Sequence, residues 1–163
     1  MNILVGYISK TGTTEEIAQR IGAGLKEKHP GGEDSWDIEV LPLSELSSVQ
    51  QFDRLLLGCP INGMKVLPEF KSFIGEKVAG SNKPVDLFIV SYMFGCGRKM
   101  WKNAISKDVE RVRALAGASS TRIFGGRIAG TLPGFARFIF GVPKGLPLDL
   151  RDWNAIDEWA MSL

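Results

Sequence analysis

The sequence predicts an α/β protein with a doubly wound sheet, in which helices cover both faces of parallel strands. Apolar runs of strand length at residues 3–8 and 85–92 are typical of parallel strands that are buried on both faces. Segments with helical spacing separate such runs along the chain. Because parallel neighbours need crossover connections, this alternation favours a sheet with helices on each side.

Five strands and four helices are predicted in order. The strands are predicted at residues 3–8, 36–43, 54–59, 85–92 and 119–128. The helices are predicted at residues 14–28, after Pro68, at residues 100–116 and at residues 153–161. The first helix has a stop signal in His29-Pro30-Gly31-Gly32, and Asp152 is a candidate cap for the last.

Length and composition indicate one globular domain spanning residues 1–163. Hydrophobic residues make up 44% of the chain and charged residues 23%, which excludes wholesale disorder or a fibrous repeat. The amino terminus has a strand pattern rather than that of a signal peptide, so a cytoplasmic protein is expected. Every apolar run is shorter than the roughly 18–20 residues that span a bilayer, which excludes an integral membrane helix.

Cysteine and histidine are scarce, and a metal centre is therefore not expected. The chain has two cysteines, Cys59 and Cys96, and one histidine, too few for a disulfide framework or a four-ligand zinc site. Cys59 closes an apolar run and is interpreted as a small buried hydrophobe. Cys96 lies between two glycines, where a thiol could touch a ligand, although a bystander role is favoured.

Positive charge is concentrated in one stretch of a chain whose net charge is only +2. Residues 92–145 contain ten basic and two acidic residues. Such a stretch can attract acidic ligands, anionic lipid or nucleic acid, and a solvated basic surface is the alternative. No nucleic-acid-reading motif accompanies it, so a nucleic-acid partner is not expected.

A hydroxyl-rich loop separates the first strand from the first helix. This hydroxyl loop consists of Ser9, Lys10, Thr11, Gly12, Thr13 and Thr14. Free N–H groups and the positive end of the helix dipole favour a phosphate there, and the hydroxyls can donate further hydrogen bonds. The alternative is that Thr13 and Glu16 form a capping box, which leaves Ser9, Thr11 and Gly12 unexplained.

The loop does not match two other nucleotide-binding motifs. No lysine follows Gly12 as in a Walker loop, and the glycine spacing of a dinucleotide fingerprint is missing. The loop instead resembles the phosphate loop of flavodoxins, which lies at the same place after a buried first strand. That resemblance implies a sheet of order 2-1-3-4-5 and bound FMN, with its phosphate held by Ser9, Thr11, Gly12, Thr13 and Thr14.

The same resemblance implies that the flavin ring lies between the loops that follow the third and fourth strands. The implied ring-binding residues are Pro60, Ile61, Asn62, Gly63, Ser91, Tyr92, Phe94 and Gly95. Glycines let backbone approach a flat ring, although turn glycines and loop aromatics are an equally good interpretation of each residue alone. The net charge departs from that of small acidic flavodoxins, so a standard electron shuttle is not favoured.

An aromatic and basic excursion, residues 126–148, follows the fifth strand where a minimal fold has a short connection. It can cover the flavin, hold an anionic substrate or rest on a membrane, and packing into the core is the alternative. Arg127, Arg137 and Lys144 are hypothesised to pair with substrate carboxylates or lipid phosphates.

With the Gly58-Cys59-Pro60-Ile61 and Phe124-Gly125-Gly126 segments and with Asp152-Trp153, the excursion resembles the flavodoxin-type menaquinone-dependent protoporphyrinogen dehydrogenases. The resemblance implies an FMN-dependent oxidoreductase that oxidises a reduced organic substrate, such as a porphyrinogen, and passes electrons to a quinone at the inner face of the membrane. Asn62 departs from the arginine common in that family. A one-electron carrier without its own substrate and a flavin-free scaffold are the alternatives. No residue is assigned a catalytic role.

Overall fold

Five parallel strands form the centre of the computed structural model, which describes residues 1–31 and 35–163. The strands are β1 (Asn2–Tyr7), β2 (Asp37–Pro42), β3 (Arg54–Asn62), β4 (Lys65–Val66), β5 (Val85–Val90) and β6 (Ser120–Phe124). The helices are α1 (Thr13–Lys28), α2 (Pro68–Phe73), α3 (Tyr92–Cys96), α4 (Lys99–Ala116), α5 (Gly134–Phe140) and α6 (Trp153–Ser162). A 3-10 turn at Leu43–Glu45 follows β2, and a π-helical turn at Ile74–Val78 continues α2. Gly32, part of the predicted stop signal, lies outside the described residues.

The strand order β2-β1-β3-β5-β6 confirms the doubly wound sheet, with β4 as an additional strand. The short strand β4 pairs antiparallel with the end of β3, where Asn62 lies opposite Lys65. Gly63 and Met64 form the intervening turn with φ of 55° and 64°. Positive φ at both central residues is what a tight hairpin turn of the primed type requires.

The two faces of the sheet bury separate apolar clusters. Leu55 and Leu57 of β3 point to the face that packs with Phe70 of α2 and Ile105 of α4. Leu56 points to the opposite face, where α1 and α6 pack. Alternation along β3 therefore fills both layers, as its continuous apolar run predicts.

Three boundaries differ by more than one residue from those predicted. The strand β3 runs three residues beyond Cys59 because its end pairs with β4. The strand β5 ends at Val90, and the chain turns at once into α3, which Ser91 caps by accepting a hydrogen bond from the N–H of Phe94. The strand β6 ends at Phe124, and the following Gly125 approaches Leu150 so closely that a Cβ would lie 1.9 Å from its carbonyl oxygen.

The predicted cap of the last helix is confirmed, because the Asp152 carboxylate accepts a hydrogen bond from the N–H of Ala155 at 3.1 Å. Within the described ranges, no helix combines the length and apolar character needed to cross a bilayer. The fold thus places the predicted loops at the carboxyl edge of one sheet, with α3 and α5 as helices that the periodicity did not predict.

Candidate functional site

A cavity of about 380 Å³ opens at the carboxyl edge of the sheet, where ligands bind in doubly wound folds. Its walls come from the hydroxyl loop, from the β3–β4 turn, from the start of α3 and from the segment after β6. Four connections that are distant in sequence thus meet at one place because their parallel strands all end at this edge.

The hydroxyl loop presents unused hydrogen-bonding groups beside this cavity. Gly12, with φ of 83°, occupies the N-cap of α1 and brings no side chain to cap the helix. Thr13 and Thr14 are buried and line the cavity, as does Thr11. The Oγ of Ser9 is buried and, within the described part of the chain, lacks a hydrogen-bond partner. Such a hydroxyl could accept a polar ligand, but Ser9 is not among the residues that line this cavity.

The capping box is not what the structure shows. Thr13 is the first helical residue rather than the cap, and the N–H of Glu16 donates to the Gly12 carbonyl oxygen at 2.9 Å. The Glu16 carboxylate instead accepts hydrogen bonds from Arg127, at 3.0 Å, and from Arg151. These contacts, led by the one from Arg151, hold the pKa of Glu16 below its usual range. The first turn of α1 is therefore left open towards a ligand.

An ion pair balances the one cation of the hydroxyl loop. The Nζ of Lys10 lies 2.7 Å from the Oε1 of Glu69, and hydrogen bonding from Lys10 lowers the pKa of that carboxyl group. The cavity beside Thr11, Thr13 and Thr14 can thus bind an anion through hydroxyls and backbone N–H groups.

The β3–β4 turn contributes Pro60, Ile61, Asn62 and Gly63 to the cavity wall, as the sequence predicts, together with Met64. A Cβ on Gly63 would meet no heavy atom within 4 Å, so this turn has open space around it. Its backbone is consequently accessible from the cavity side.

The loop after β5 is divided between the cavity and the core. Ser91 and Tyr92 line the cavity, as predicted. The Tyr92 hydroxyl donates to the Pro147 carbonyl oxygen at 2.9 Å, and desolvation raises the pKa of this phenol. Phe94 packs against the apolar core, and Gly95 faces Leu150 rather than the cavity. The structure therefore does not bring these last two residues together with the other predicted ring-binding residues.

The sequence predicts no cofactor-binding residue in the segment after β6, although Arg127 is hypothesised to pair with an anionic group. Gly126, Arg127 and Ile128 line the cavity, and so do Val90 and Met93. A Cβ on Gly126 would lie 2.9 Å from the backbone nitrogen of Tyr92, so this close approach requires glycine. The double glycine after the last strand was the available signal.

A larger hollow of about 890 Å³ lies on the β2 side of the hydroxyl loop, and Ser9 lines it rather than the smaller cavity. Its other polar residues include Glu15, Glu45, Glu69 and Glu76. The negative charges of these carboxylates would repel a bound anion. The smaller cavity, which is lined by the buried Thr13 and Thr14, is therefore the better candidate for an anion site despite its smaller volume.

Comparison with solved structures shows the same fold at low identity. An azoreductase from Bacillus anthracis has 12% identity and a TM-score of 0.60, with 100% of both chains covered. Flavodoxin 2 from Bacillus cereus has 18% identity and a TM-score of 0.59, covering 99% of this chain and 97% of that one. A Fusobacterium nucleatum flavodoxin mutant bound to flavin mononucleotide has 18% identity and a TM-score of 0.51, covering 73% and 66%.

No curated protein sequence matches the chain significantly. The family model for the flavodoxin domain matches residues 4–137, which is most of the chain and includes the hydroxyl loop, the β3–β4 turn and α3. By this match the chain belongs to the flavodoxin domain family.

Proposed function

We propose that this chain is an FMN-dependent oxidoreductase that oxidises a reduced organic substrate, such as a porphyrinogen, and delivers electrons to a quinone. One observation carries the proposal: a single cavity joins the hydroxyl loop at the N-terminus of α1 to the turns that follow β3 and β5. Family membership supports the coarser statement that the protein is a flavin-binding oxidoreductase or electron carrier.

The residues present fit an FMN phosphate. Gly12 leaves the first turn of α1 uncapped by a side chain, and the hydroxyl of Ser9, unpartnered among the described residues, belongs to the same loop but borders the neighbouring hollow. Thr11, Thr13 and Thr14 would supply the remaining hydroxyls from the cavity wall. The related flavodoxin from Fusobacterium nucleatum is described as bound to flavin mononucleotide, which supports this ligand.

The opposite walls suit a flat ring. Pro60 and Ile61 on one side and Tyr92 on the other would hold it, while Gly126 lets the backbone approach closely. The open space at Gly63 would allow the neighbouring peptide to reorient towards a ring nitrogen. Bound FMN supplies the redox chemistry, and the protein orients it and excludes water.

Charge supports an organic anion as the substrate. The Arg127 side chain lies in the cavity wall and is held by Glu16, so its remaining N–H groups would be available to a carboxylate. The Bacillus anthracis azoreductase shares this fold, so the fold is compatible with an enzyme as well as with a carrier. A quinone acceptor places the protein at the inner face of a membrane, attached from the cytoplasmic side.

Flavin titration tests the cofactor assignment directly. Purified protein stripped of ligands should quench FMN fluorescence with a submicromolar Kd, and it should bind riboflavin at least about tenfold more weakly because riboflavin has no phosphate to fill the hydroxyl loop. Equal affinity for FMN and riboflavin would contradict the phosphate site, and no affinity for either would remove the redox assignment.

A one-electron carrier is the second candidate, favoured by the similarity to flavodoxin 2 of Bacillus cereus. Anaerobic incubation of the FMN-loaded protein with a porphyrinogen and a menaquinone analogue separates the two functions. An enzyme oxidises the porphyrinogen and reduces the quinone with turnover above that of free FMN. A carrier shows no such turnover and exchanges electrons with a reductase instead.

A further inference from the structure

The helix α5 presents an apolar face to solvent. Phe135, Phe138 and Ile139 are 71%, 78% and 50% exposed, although aromatic and aliphatic side chains of this size are usually buried. Met100, near the start of α4, is 62% exposed. Three large apolar side chains within five residues form a patch rather than scattered exposures, and such a patch marks an interaction surface.

Specific contacts hold α5 against the start of α4. Phe140, on the inner side of α5, lies edge-on to Trp101 with ring centroids 5.9 Å apart. The Arg98 guanidinium donates to the Phe138 carbonyl oxygen at 2.8 Å, and the Arg98 N–H donates to that of Phe140 at 3.2 Å. These contacts hold α5 in place while its apolar face remains exposed to solvent.

Arg137 fixes the connection on either side of α5. Its guanidinium donates to the carbonyl oxygens of Leu132, Pro143 and Leu146, with distances between 2.9 and 3.4 Å. This places Arg137 in the internal support of the excursion, whereas the exposed Lys144 is free of such internal contacts among the described residues. The apolar face consequently keeps its outward direction.

Basic residues accompany the apolar face. Arg98 stacks against the Phe138 ring at 5.8 Å, and Lys99 and Lys144 are exposed close by along the chain. The two acidic residues of the basic stretch, Asp108 and Glu110, lie in the second half of α4. An apolar centre with a cationic rim complements an anionic lipid surface, which has both an acyl region and phosphate headgroups.

We propose that α5 is an interfacial docking helix for anionic bilayers: Phe135, Phe138 and Ile139 enter the headgroup–acyl boundary while Arg98, Lys99 and Lys144 contact lipid phosphates. A water-soluble acidic partner would match the rim but would leave two aromatic rings against polar surface. The bilayer satisfies both parts of the patch.

This inference deepens the proposed function, on which its biological meaning rests. Arg98, which contacts α5, lies two residues after the end of α3, and α3 begins at Tyr92 in the cavity wall. Docking through α5 thus brings the cavity close to the membrane, where a lipid-soluble quinone is available.

Flotation of the full-length, FMN-saturated protein with vesicles tests the docking surface. Vesicles of phosphatidylcholine alone are compared with vesicles that also contain phosphatidylglycerol. Wild-type protein should float with the anionic vesicles, and Phe135→Ser with Phe138→Ser should lower the partition coefficient about tenfold or more. Lys99→Gln with Lys144→Gln should weaken binding to anionic vesicles and flatten its dependence on salt.

Matched controls remove exposed groups of the same kind elsewhere. Leu115→Ser with Met161→Ser removes two other exposed apolar side chains, and Lys26→Gln with Lys77→Gln removes two exposed lysines on other elements. Both controls should float like the wild type. Thermal unfolding shows whether each variant folds, and the lysine variant tests the surface even where the phenylalanine variant does not fold.

Two results would overturn the inference. Wild-type protein that stays free of every vesicle would leave a partner protein as the occupant of the patch. Phenylalanine and lysine variants that float as well as the wild type would place binding elsewhere. Flavin titration of the same samples keeps this question separate, because protein that binds FMN without floating retains the proposed function, and protein that floats without binding FMN retains the docking surface.

Discussion

The hydroxyl loop and the excursion border the same cavity from two sides but are held in place by different forces. The hydroxyl loop lies between β1 and α1, whose inward residues Val5, Ile17 and Ile21 are fully buried. In the excursion, every residue of α5 is half-buried or exposed. Apolar packing therefore fixes the loop, whereas the excursion relies mainly on polar contacts beside the buried Val142 and the contact of Phe140 with Trp101.

The contacts at the base of the excursion form a small ion-pair cluster made of Glu16, Arg127, Asp149 and Arg151. Arg151 binds Glu16 and makes two hydrogen bonds to Asp149, at 2.8 and 2.6 Å, and its side chain is only 7% exposed. Backbone hydrogen bonds accompany the cluster, since the N–H of residue 128 donates to the carbonyl of residue 148 at 2.8 Å. The comparison shows that the hydroxyl loop is held by the packing of β1 and α1, whereas the excursion depends on charges around α1.

The largest expected effect comes from the hydroxyl loop. Thr14→Val keeps the shape of a buried side chain and removes its hydroxyl, so the affinity for FMN should fall about 10- to 100-fold, as expected for a lost hydrogen bond to a charged group. Fluorescence titration measures this loss. Affinity for riboflavin should change little, because the removed hydroxyl faces the phosphate.

Lys144→Gln in the excursion is the control for this loss and should leave FMN affinity within about twofold of wild type, since an exposed lysine outside the cavity wall contributes little. A Thr14→Val variant that binds FMN like the wild type would show that the buried threonine only packs, and the contrast between the two regions would then have no basis in ligand binding.

The second effect concerns the ion-pair cluster. Arg151→Met keeps an apolar stem over Trp153, which the guanidinium covers at 4.7 Å, but leaves Glu16 and Asp149 without their shared partner. The free energy of unfolding should fall by about 1–2 kcal/mol, because the hydrogen bonds from a largely buried guanidinium to two carboxylates are lost, although Glu16 keeps its contact with Arg127. Urea denaturation measures it, and limited proteolysis should begin within the excursion.

Arg20→Met is the matched control, because Arg20 also makes two hydrogen bonds to one carboxylate, that of Asp157, but does so on an exposed surface. Its loss of stability should be clearly smaller, as is usual for solvent-exposed pairs. Equal losses for the two variants would mean that the burial of Arg151 has no energetic consequence.

The hydroxyl loop could be predicted from the sequence, and the base of the excursion could not. Thr11, Gly12, Thr13 and Thr14 follow one another at the start of a helix, so the hydroxyl-rich turn is a local pattern that the sequence displays directly. The contact of Glu16 with Arg151 joins residues 135 positions apart, and such pairings depend on how α6 packs against α1. Glu16 therefore looked like a capping residue.

The same reasoning explains why two of the implied ring-binding residues lie away from the cavity. The resemblance implied contacts from Phe94 and Gly95 in a loop after β5, whereas Ser91 caps a helix there and Phe94 packs towards the core. Gly126 approaches Tyr92 only because β5 and β6 are neighbours in the sheet. The sheet order was predicted, but no local sequence pattern indicates that the backbones of Gly126 and Tyr92 come close together.

Lowering the pH is expected to have a smaller effect on the free energy of unfolding. Arg151 and Arg127 lower the pKa of Glu16, so the carboxylate stabilises the fold above its ordinary range of about 4.3, and this contribution is lost as pH falls through the depressed folded value. The difference in unfolding free energy between wild type and Glu16→Gln should be under about 1 kcal/mol at neutral pH, since Glu16 is partly exposed.

This difference should vanish at acid pH, where Glu16 is protonated in both states. Urea denaturation at a series of pH values gives the comparison, with Asp149 and the other carboxylates titrating equally in both proteins. A difference that grows as pH falls would have the opposite sign and would rule out stabilisation by the charged form of Glu16.

The smallest expected effect is on the alkylation rates of the two cysteines. Burial raises the pKa of Cys59 to about 12, and it also raises that of Cys96, whose thiol donates to the Tyr92 carbonyl oxygen at 3.3 Å. Both thiols should react slowly with iodoacetamide at neutral pH. Because the Tyr92 hydroxyl binds Pro147, loosening the excursion by Arg151→Met should open the surroundings of Cys96 and speed its alkylation about two- to fivefold.

Cys59 is fully buried in the central strand β3 and should stay unmodified in the same experiment. It therefore serves as an internal control for global unfolding. Mass spectrometry of the two peptides over time measures both rates. Faster labelling of Cys96 alone would mean that the excursion opens as a unit while the sheet stays folded, because its charges can be broken without disturbing apolar packing. Equal acceleration at both cysteines would instead mean that the ion-pair cluster stabilises the whole domain and that the two regions do not unfold separately.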